Sequence, residues 1–278
     1  MQLQKTPNPD GRIRVGVGGW TYEPWRGVFY PTDLPKTREL EYASRKLTSI
    51  EINGTYYRLQ KPETFAKWRD ETPDDFVFAV KGGRHATNRR VLAEAGESIE
   101  RFFASGVLLL GDKLGPINWQ FAATKKFDPE DFGAFLALLP DSIEGREIRH
   151  AVEVRHDSFK TRDFLELARR RGVAVVVAGD SEFPLITDVT APLVYARIMG
   201  ANKTHKLGYS PDALDVWAGR AGIWAAGGSP ADLPLIVPAP NSKSARDVFL
   251  YAISGFKERN PTAALALIER LSPSKATS

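Results

Sequence analysis

A single-domain (β/α)8, TIM-type barrel is the fold this sequence predicts, on three observations. Eight strand-like segments alternate with helical patterns along most of the chain, and 278 residues suit one large α/β domain. The third observation is one of parity. Strand side chains alternate between two faces, so the polar members of Glu51-Ile52-Asn53, Glu153-Val154-Arg155 and Tyr195-Ala196-Arg197 share a face. Ile50, Ile52, Val152, Val154, Val194 and Ala196 take the other. Apolar residues outward, with charges at one end of the inward side, describe a parallel barrel with a polar mouth.

In chain order the strands are expected over 13–18, 48–53, 76–81, 116–120, 150–155, 173–180, 193–198 and 235–239. Helical patterns fall between them over 37–46, 62–71, 89–105, 129–139, 161–171 and 211–226, with a last one over 242–270. Lys61-Pro62-Glu63-Thr64, Asp128-Pro129-Glu130-Asp131 and Ser210-Pro211-Asp212 each put proline and acids into a first turn, a helix-start signal. Strands alternating with helices imply parallel pairing through right-handed crossovers. Residues 181–192 hold two prolines and no helical pattern, which predicts an irregular crossover between strands six and seven. The barrel domain is expected over 1–271, with 1–11 as a lead and 272–278 as a loose tail. The open doubly wound sheet is the competing fold, suggested by Gly16-Val17-Gly18-Gly19. Its dinucleotide fingerprint fails, because Thr21 stands where the third glycine belongs and Pro24 and Gly27 interrupt any following helix.

Hydrophobic content of 42% and charged content of 26% are those of an ordinary globular protein. The absence of cysteine excludes disulfides, thiolate metal sites, iron–sulfur clusters and cysteine nucleophiles, and fits a reducing cytoplasm. Met1 to Gly11 lacks the apolar core of a signal peptide, and no apolar run reaches the roughly 18 residues of a membrane span. A cytoplasmic protein without a membrane partner is the expectation. The formal charge of +4 tilts weakly towards anionic partners.

In barrels of this kind the reacting groups sit at the carboxyl ends of the strands. Parity puts Glu51, Asn53, Lys81, Asn118, Gln120, Glu153, Arg155, Asp180, Tyr195 and Arg197 on the inward side there, with Asn241 just past the eighth strand. Below them Ser49, Val77, Ala79, Ala151, Val176 and Ala239 form a small or apolar floor. Rim loops add Arg58, Arg84, His85 and His156, so cations outnumber carboxylates, and arginine grips phosphate or carboxylate with two hydrogen bonds. Trp20 and its aromatic neighbours offer either a stacking surface or a hydrophobic lid. Interior ion pairs that merely fix register, Glu51 with Lys81 and Glu153 with Arg197, are the structural alternative. No metal is expected. His150 and His156 are about 20 Å apart by strand rise, and the neighbouring cations compete for the carboxylates. No nucleophile elbow and no cofactor motif is present.

Several motifs resemble the YecE-like family, known as domain of unknown function 72. They are Gly19-Trp20 with Tyr22, Trp25-Arg26-Gly27, Phe29-Tyr30-Pro31, Glu51-Ile52-Asn53-Gly54-Thr55-Tyr56-Tyr57-Arg58, Thr72-Pro73, Phe76 to Lys81 with Arg84, Asp112-Lys113-Leu114-Gly115-Pro116, and Glu153-Val154-Arg155-His156-Asp157-Ser158. The resemblance covers nearly the whole chain and implies a TIM-type barrel of unestablished activity. Asn88 and Met199 stand where that family often carries histidine, so any imidazole chemistry of its members is altered here.

The functional expectation is a barrel enzyme, of hydrolase or lyase type and not nicotinamide-dependent, or a ligand-binding barrel, for an anionic small molecule bearing phosphate or carboxylate. Glu51, Glu153 and Lys81 are the catalytic candidates. Asn53, Arg58, Arg84, Gln120, Arg155, His156, Asp180, Tyr195, Arg197, Asn241 and Trp20 are the substrate-binding ones. Two alternatives stand beside it: a glycoside hydrolase using the Glu51/Glu153 carboxylates, and a nucleic-acid or partner-binding module using the basic rim.

Overall fold

The computed structural model describes residues 11–238 and 244–272. Eight parallel strands follow one another around a barrel: β1 Ile13–Gly18, β2 Ser49–Ile52, β3 Val77–Lys81, β4 Leu114–Gln120, β5 His150–Glu153, β6, β7 Leu193–Ile198 and β8 Asp247–Ala252. Strand β8 pairs back onto β1, with Ile13 opposite Val248 and Val17 opposite Ala252. The sixth strand is split into Ala174–Val175 and Val177–Gly179. Its first piece pairs with β5, its second with β7, and Val176 N donates to Val152 O at 2.9 Å between them. The outer layer holds α1 Glu39–Ser44, α2 Pro62–Asp70, α3 Gly96–Ala104, α4 Pro129–Leu138, α5 Arg162–Arg170, α6 Pro211–Ala225 and α7 Asn260–Leu271. Caps set several of these starts. Asp128 accepts from the Glu130 and Asp131 amides, Thr161 from Phe164 and Ser210 from Ala213, with Pro129 and Pro211 in their first turns. Residues 181–192 pass between β6 and β7 as turns and coil.

Alternation divides the apolar residues into two cores. Ile50, Ile52, Phe78, Val80, Ile117, Trp119, Val152, Val194, Ala196, Val248 and Leu250 pack outward under the helices. A smaller interior cluster joins Val77, Ala79, Ala151, Val176, Leu193, Tyr195, Phe249 and Tyr251. The floor expected from Val77, Ala79, Ala151 and Val176 is therefore inside the barrel, beneath the charged strand ends. Gly16 has a packing role. A Cβ there would collide with the Ser49 carbonyl, so the glycine lets β1 and β2 pair closely.

The eighth strand is a correction. Residues 235–238 are not a strand, and the segment expected as one long helix over 242–270 contains β8 before α7 begins. The apolar run Leu235-Ile236-Val237 is instead tied to the loop after β6. The buried Asp188 carboxylate accepts from the Ile236 and Val237 amides at 3.0 Å each, and Thr187 Oγ1 donates to Pro234 O. A side chain supplies the acceptors that a neighbouring strand would otherwise provide. Helix α3 is likewise shorter than its pattern, because Asp131 Oδ1 takes the Leu92 and Ala93 amides at 2.6 and 3.1 Å and holds a separate turn. Ala239 and Asn241 lie outside the described residues. Among the described residues no helix is long and apolar enough to cross a membrane.

Candidate active site

Five strands deliver polar side chains to one point above the interior floor, four of them ionisable groups and β4 two amides. Glu51 comes from β2, Lys81 from β3, Gln120 with Asn118 from β4, Glu153 from β5, and Tyr195 with Arg197 from β7. Arg155 follows β5 by two residues and keeps its parity. Glu51 and Glu153 are each 0% exposed, Arg197 3% and Lys81 7%.

Arg197 is the centre. Its Nη1 donates to Glu153 Oε2 at 2.7 Å and its Nη2 to Glu51 Oε1 at 3.2 Å. Tyr195 Oη donates to Glu51 Oε2 at 2.6 Å, and Asn118 Nδ2 to Glu153 Oε2 at 3.2 Å. Arg155 closes the other side of Glu153, with Nε and Nη2 on Oε1 at 2.8 and 2.6 Å, and also donates to Gln120 Oε1 at 2.9 Å. Lys81 Nζ donates to the same Gln120 oxygen. Of the two interior pairs expected, Glu153 with Arg197 forms and Glu51 with Lys81 does not. Glu51 pairs with Arg197 and not Lys81, since arginine's planar fork spans two carboxylates where a lysine ammonium reaches one acceptor at a time. Two buried polar atoms of this network have no hydrogen bond: Asn118 Oδ1, and Arg197 Nε, which lies 3.2 Å from Glu51 Oε2 without hydrogen-bond geometry.

The charges set the protonation states. Burial alone would raise the Glu153 carboxyl, yet Arg197, Lys81 and Arg155 together hold it down to about 2. Burial lowers Arg197, but Glu153 and Glu51 overcome it and leave the guanidinium raised. Burial first, then Arg197, lowers the Lys81 ammonium to about 8. Burial and the adjacent Glu51 push the Tyr195 phenol well above its ordinary value, so it stays a donor. Lys81 is therefore the group in this network that exchanges a proton near neutral pH, while Glu153 is fixed as an anion. An acid catalyst needs a raised carboxyl. Glu153 has the opposite, and both glutamates share one guanidinium, so the glycosidase reading of this pair finds no support in the geometry.

The solvent side of the network is Lys81, Gln120 and Arg155. Lys81 Nζ lies 5.4 Å from the Tyr56 ring centre, and the Arg155 guanidinium 4.2 Å from that of Phe183. Ala178, Met199 and Ile253 form a small apolar cluster with Phe183 packed against it. Below, Ser49 Oγ donates to Val77 O at 2.6 Å and bonds Tyr251 Oη at 2.7 Å, linking β2, β3 and β8.

The remaining candidates fall elsewhere. Asn53 is partly buried and reaches Glu51 O at 3.5 Å. Asp180, exposed and at φ +52, accepts from Trp217 Nε1 at 2.8 Å and is not bonded to Lys81, Arg155 or Arg197. His156 turns back to Ser158, with Nδ1 2.9 Å from its Oγ. Arg58 is exposed. Trp20 stacks edge-on against Trp68 at 5.1 Å and lines a groove with Lys36, Leu40 and Lys67, away from the network. Arg84 and His85 line a second groove together with Asn88. Tyr251 and Phe183 escaped the sequence reading. Tyr251 sits on the misplaced eighth strand, and parity could have found it once that strand was placed. Phe183 is on a loop without periodicity. Among the described residues no three His, Asp or Glu side chains group as metal ligands.

Comparisons with known proteins agree with this architecture. The chain is 31% identical over 161 residues to the UPF0759 protein YecE of Escherichia coli K12, a match over 58% of this chain and 55% of that protein. It therefore spans little more than half the length of the curated relative it matches. A DUF72 family protein of Thermotoga maritima has a similar structure, with a TM-score of 0.70 at 20% identity over 94% of this chain and 99% of that one. Another from Enterococcus faecalis gives 0.67 at 17% identity over 96% and 100%. At such identities these structures show the fold alone. The family model for the protein of unknown function DUF72 matches residues 14–277, and the chain belongs to that family.

Proposed function

We propose that this barrel is an enzyme that binds an anionic small molecule, bearing phosphate or carboxylate, at the mouth and uses Lys81 for proton transfer. One observation carries the reading: three cations, Lys81, Arg155 and Arg197, gather around two fully buried carboxylates, with the two arginines ion-paired to them and Lys81 held beside them on Gln120 Oε1. The carboxylates neutralise the inner guanidinium and part of Arg155. The excess positive charge is left on the members nearest solvent, Lys81 and Arg155. An arriving carboxylate or phosphate oxygen completes the pairing. Asn118 Oδ1, an acceptor with no donor, suits a hydroxyl of the same ligand.

Glu51, saturated by Tyr195 and Arg197, holds Arg197 in place in this reading. Lys81, near pKa 8, gives or takes the proton in a hydrolytic or eliminative step. The apolar wall of Met199, Ile253 and Phe183 receives the uncharged part of the ligand. Calorimetric titration with inorganic phosphate, citrate and phosphorylated sugars tests the proposal. Saturable binding by at least one, weakened about tenfold or more in Arg155→Ala and Lys81→Met, is the expected result. Wild-type protein that binds none of these anions, or variants that bind them equally well, would refute it.

A further inference from the structure

Beside the mouth lies a groove of about 470 Å3 lined by Arg84, His85, Asn88, Arg89, Ser98 and Arg101. Its size is within the range of small-ligand clefts, roughly 300–1,000 Å3. It is separate from the mouth network and shares no residue with it. Arg84 and His85 open the single turn Arg84–Thr87 that follows β3, while Ser98 and Arg101 stand on α3. Arg89 bridges the two sides, donating from Nη2 to Ser98 Oγ at 3.0 Å, and its buried Nε has no acceptor. Arg101 is paired with Glu97 at 2.5 Å. No carboxylate pairs with Arg84 or Arg89 among the described residues, so the groove keeps uncompensated positive charge.

An aromatic surface adjoins these cations. The Arg84 guanidinium is 5.9 Å from the centre of the Tyr57 ring, which is 62% exposed. Tyr57 meets Tyr56 edge-on at 5.1 Å, and Tyr56 lies 5.4 Å from Lys81 Nζ. A cation, two rings and a second cation thus run from the groove to the mouth: Arg84, Tyr57, Tyr56 and Lys81. The exposed face of Tyr57 is open to stacking, and a nucleobase of any sequence can stack on it. Arginines with unused N–H groups grip phosphate oxygens in the manner a carboxylate would.

From this juxtaposition we infer that the groove is a nucleotide site: Arg84 and Arg89 hold a phosphate and Tyr57 stacks the base. The phosphate belongs either to a free nucleotide or to one linkage of a single strand, and salt separates the two. Binding of fluorescein-labelled oligothymidylate is measured by anisotropy, and of thymidine monophosphate by calorimetry, at several salt concentrations. Wild-type protein binds one or both at low salt. Arg84→Ala and Tyr57→Ala, both at exposed positions, each weaken binding by about tenfold while leaving the circular dichroism unchanged. A strand gives a steep loss of affinity with salt, whereas a mononucleotide gives saturable binding with a shallow one. Lys81→Met separates the two sites: a loss of affinity in this variant without one in Arg84→Ala places the probe at the mouth and counts against the groove. The inference is overturned if wild-type protein binds neither probe, or if Tyr57→Ala binds like wild type.

Discussion

Arg197 is the residue whose removal the mouth tolerates least. Glu51 has no other cation partner in the network, and Glu153 would keep Arg155 but lose its bond to Nη1. Arg197→Met strands a fully buried carboxylate with only the Tyr195 hydroxyl, and such one-sided deletions cost about 3–5 kcal/mol. Urea unfolding measures it, and a midpoint equal to wild type would contradict the assigned network. Lys81 makes a prediction at the opposite end of the pH scale. Its folded pKa of about 8 lies below the ordinary 10.5, so the folded state resists carrying that charge. Stability gains from Lys81 as pH rises from about 8 towards 10.5, because the unfolded chain binds the proton there and the folded one does not. Lys81→Met removes this alkaline rise from the unfolding midpoint, and a variant that keeps the full rise would place the titration elsewhere. Parity made the company of Glu51, Lys81, Glu153, Tyr195 and Arg197 legible, since strand alternation is a local rule. Their partnerships were not legible, because which cation meets which carboxylate depends on reach and fork geometry across three or four strands.

At the scale of elements, the first seven strands could be read from apolar runs and helix-start signals, and the eighth could not. Leu235-Ile236-Val237, set between prolines, has a strand's composition, while Val248 to Ile253 merges with the helical pattern after it. Short apolar runs do not declare their period. What decides the matter is Asp188, forty-eight residues away along the chain from Ile236. Asp188→Ala leaves two amides without their acceptor and is expected to cost about 1–3 kcal/mol; thermal unfolding checks it, with Asp188→Asn retaining part of the loss. Gly16 in β1 and Gly19 just after it give a paired test. Gly16→Ala drives a methyl into the Ser49 carbonyl between two backbones, whereas Gly19, at φ +72, has open space around it. Gly19→Ala should cost about 1 kcal/mol from strain alone, and Gly16→Ala several times as much. Equal losses would show that the close approach of β1 and β2 does not matter.

At the scale of the whole molecule, the barrel carries ionic layers at both ends of its apolar plug. Opposite the mouth, Arg149 Nη1 meets Asp247 Oδ2 at 2.8 Å, and Arg14 Nη1 donates to Asp75 O at 2.8 Å. Between plug and helices His150 is buried. Its Nδ1 accepts from Trp119 Nε1 at 3.1 Å, so Nε2 carries the proton shared with Pro140 O at 2.9 Å. Burial lowers its pKa from 6.5 to about 4, which keeps it neutral in the fold. The acid limb of stability therefore has two stages. As pH falls below 6.5 the unfolded chain protonates His150 before the folded one does, and stability is lost down to about 4. Glu153 adds the second loss, from 4.5 down towards about 2, as its ion pairs are titrated. Urea midpoints measured against pH should show the upper stage vanish in His150→Gln and the lower one in Glu153→Gln. A single transition unaffected by either variant would mean that other groups govern acid unfolding.

The interruption at Val176 gives the ring a joint. Seven staves of this cask are continuous, but the sixth holds one neighbour with its lower half and the other with its upper half. Slippage there parts the staves that precede Arg155 and bear Arg197 without breaking any other ladder. Backbone amides from Val177 to Gly179 should accordingly trade hydrogen for deuterium sooner than those of Val77 to Lys81, and a guest too large for the resting aperture would enter on that side.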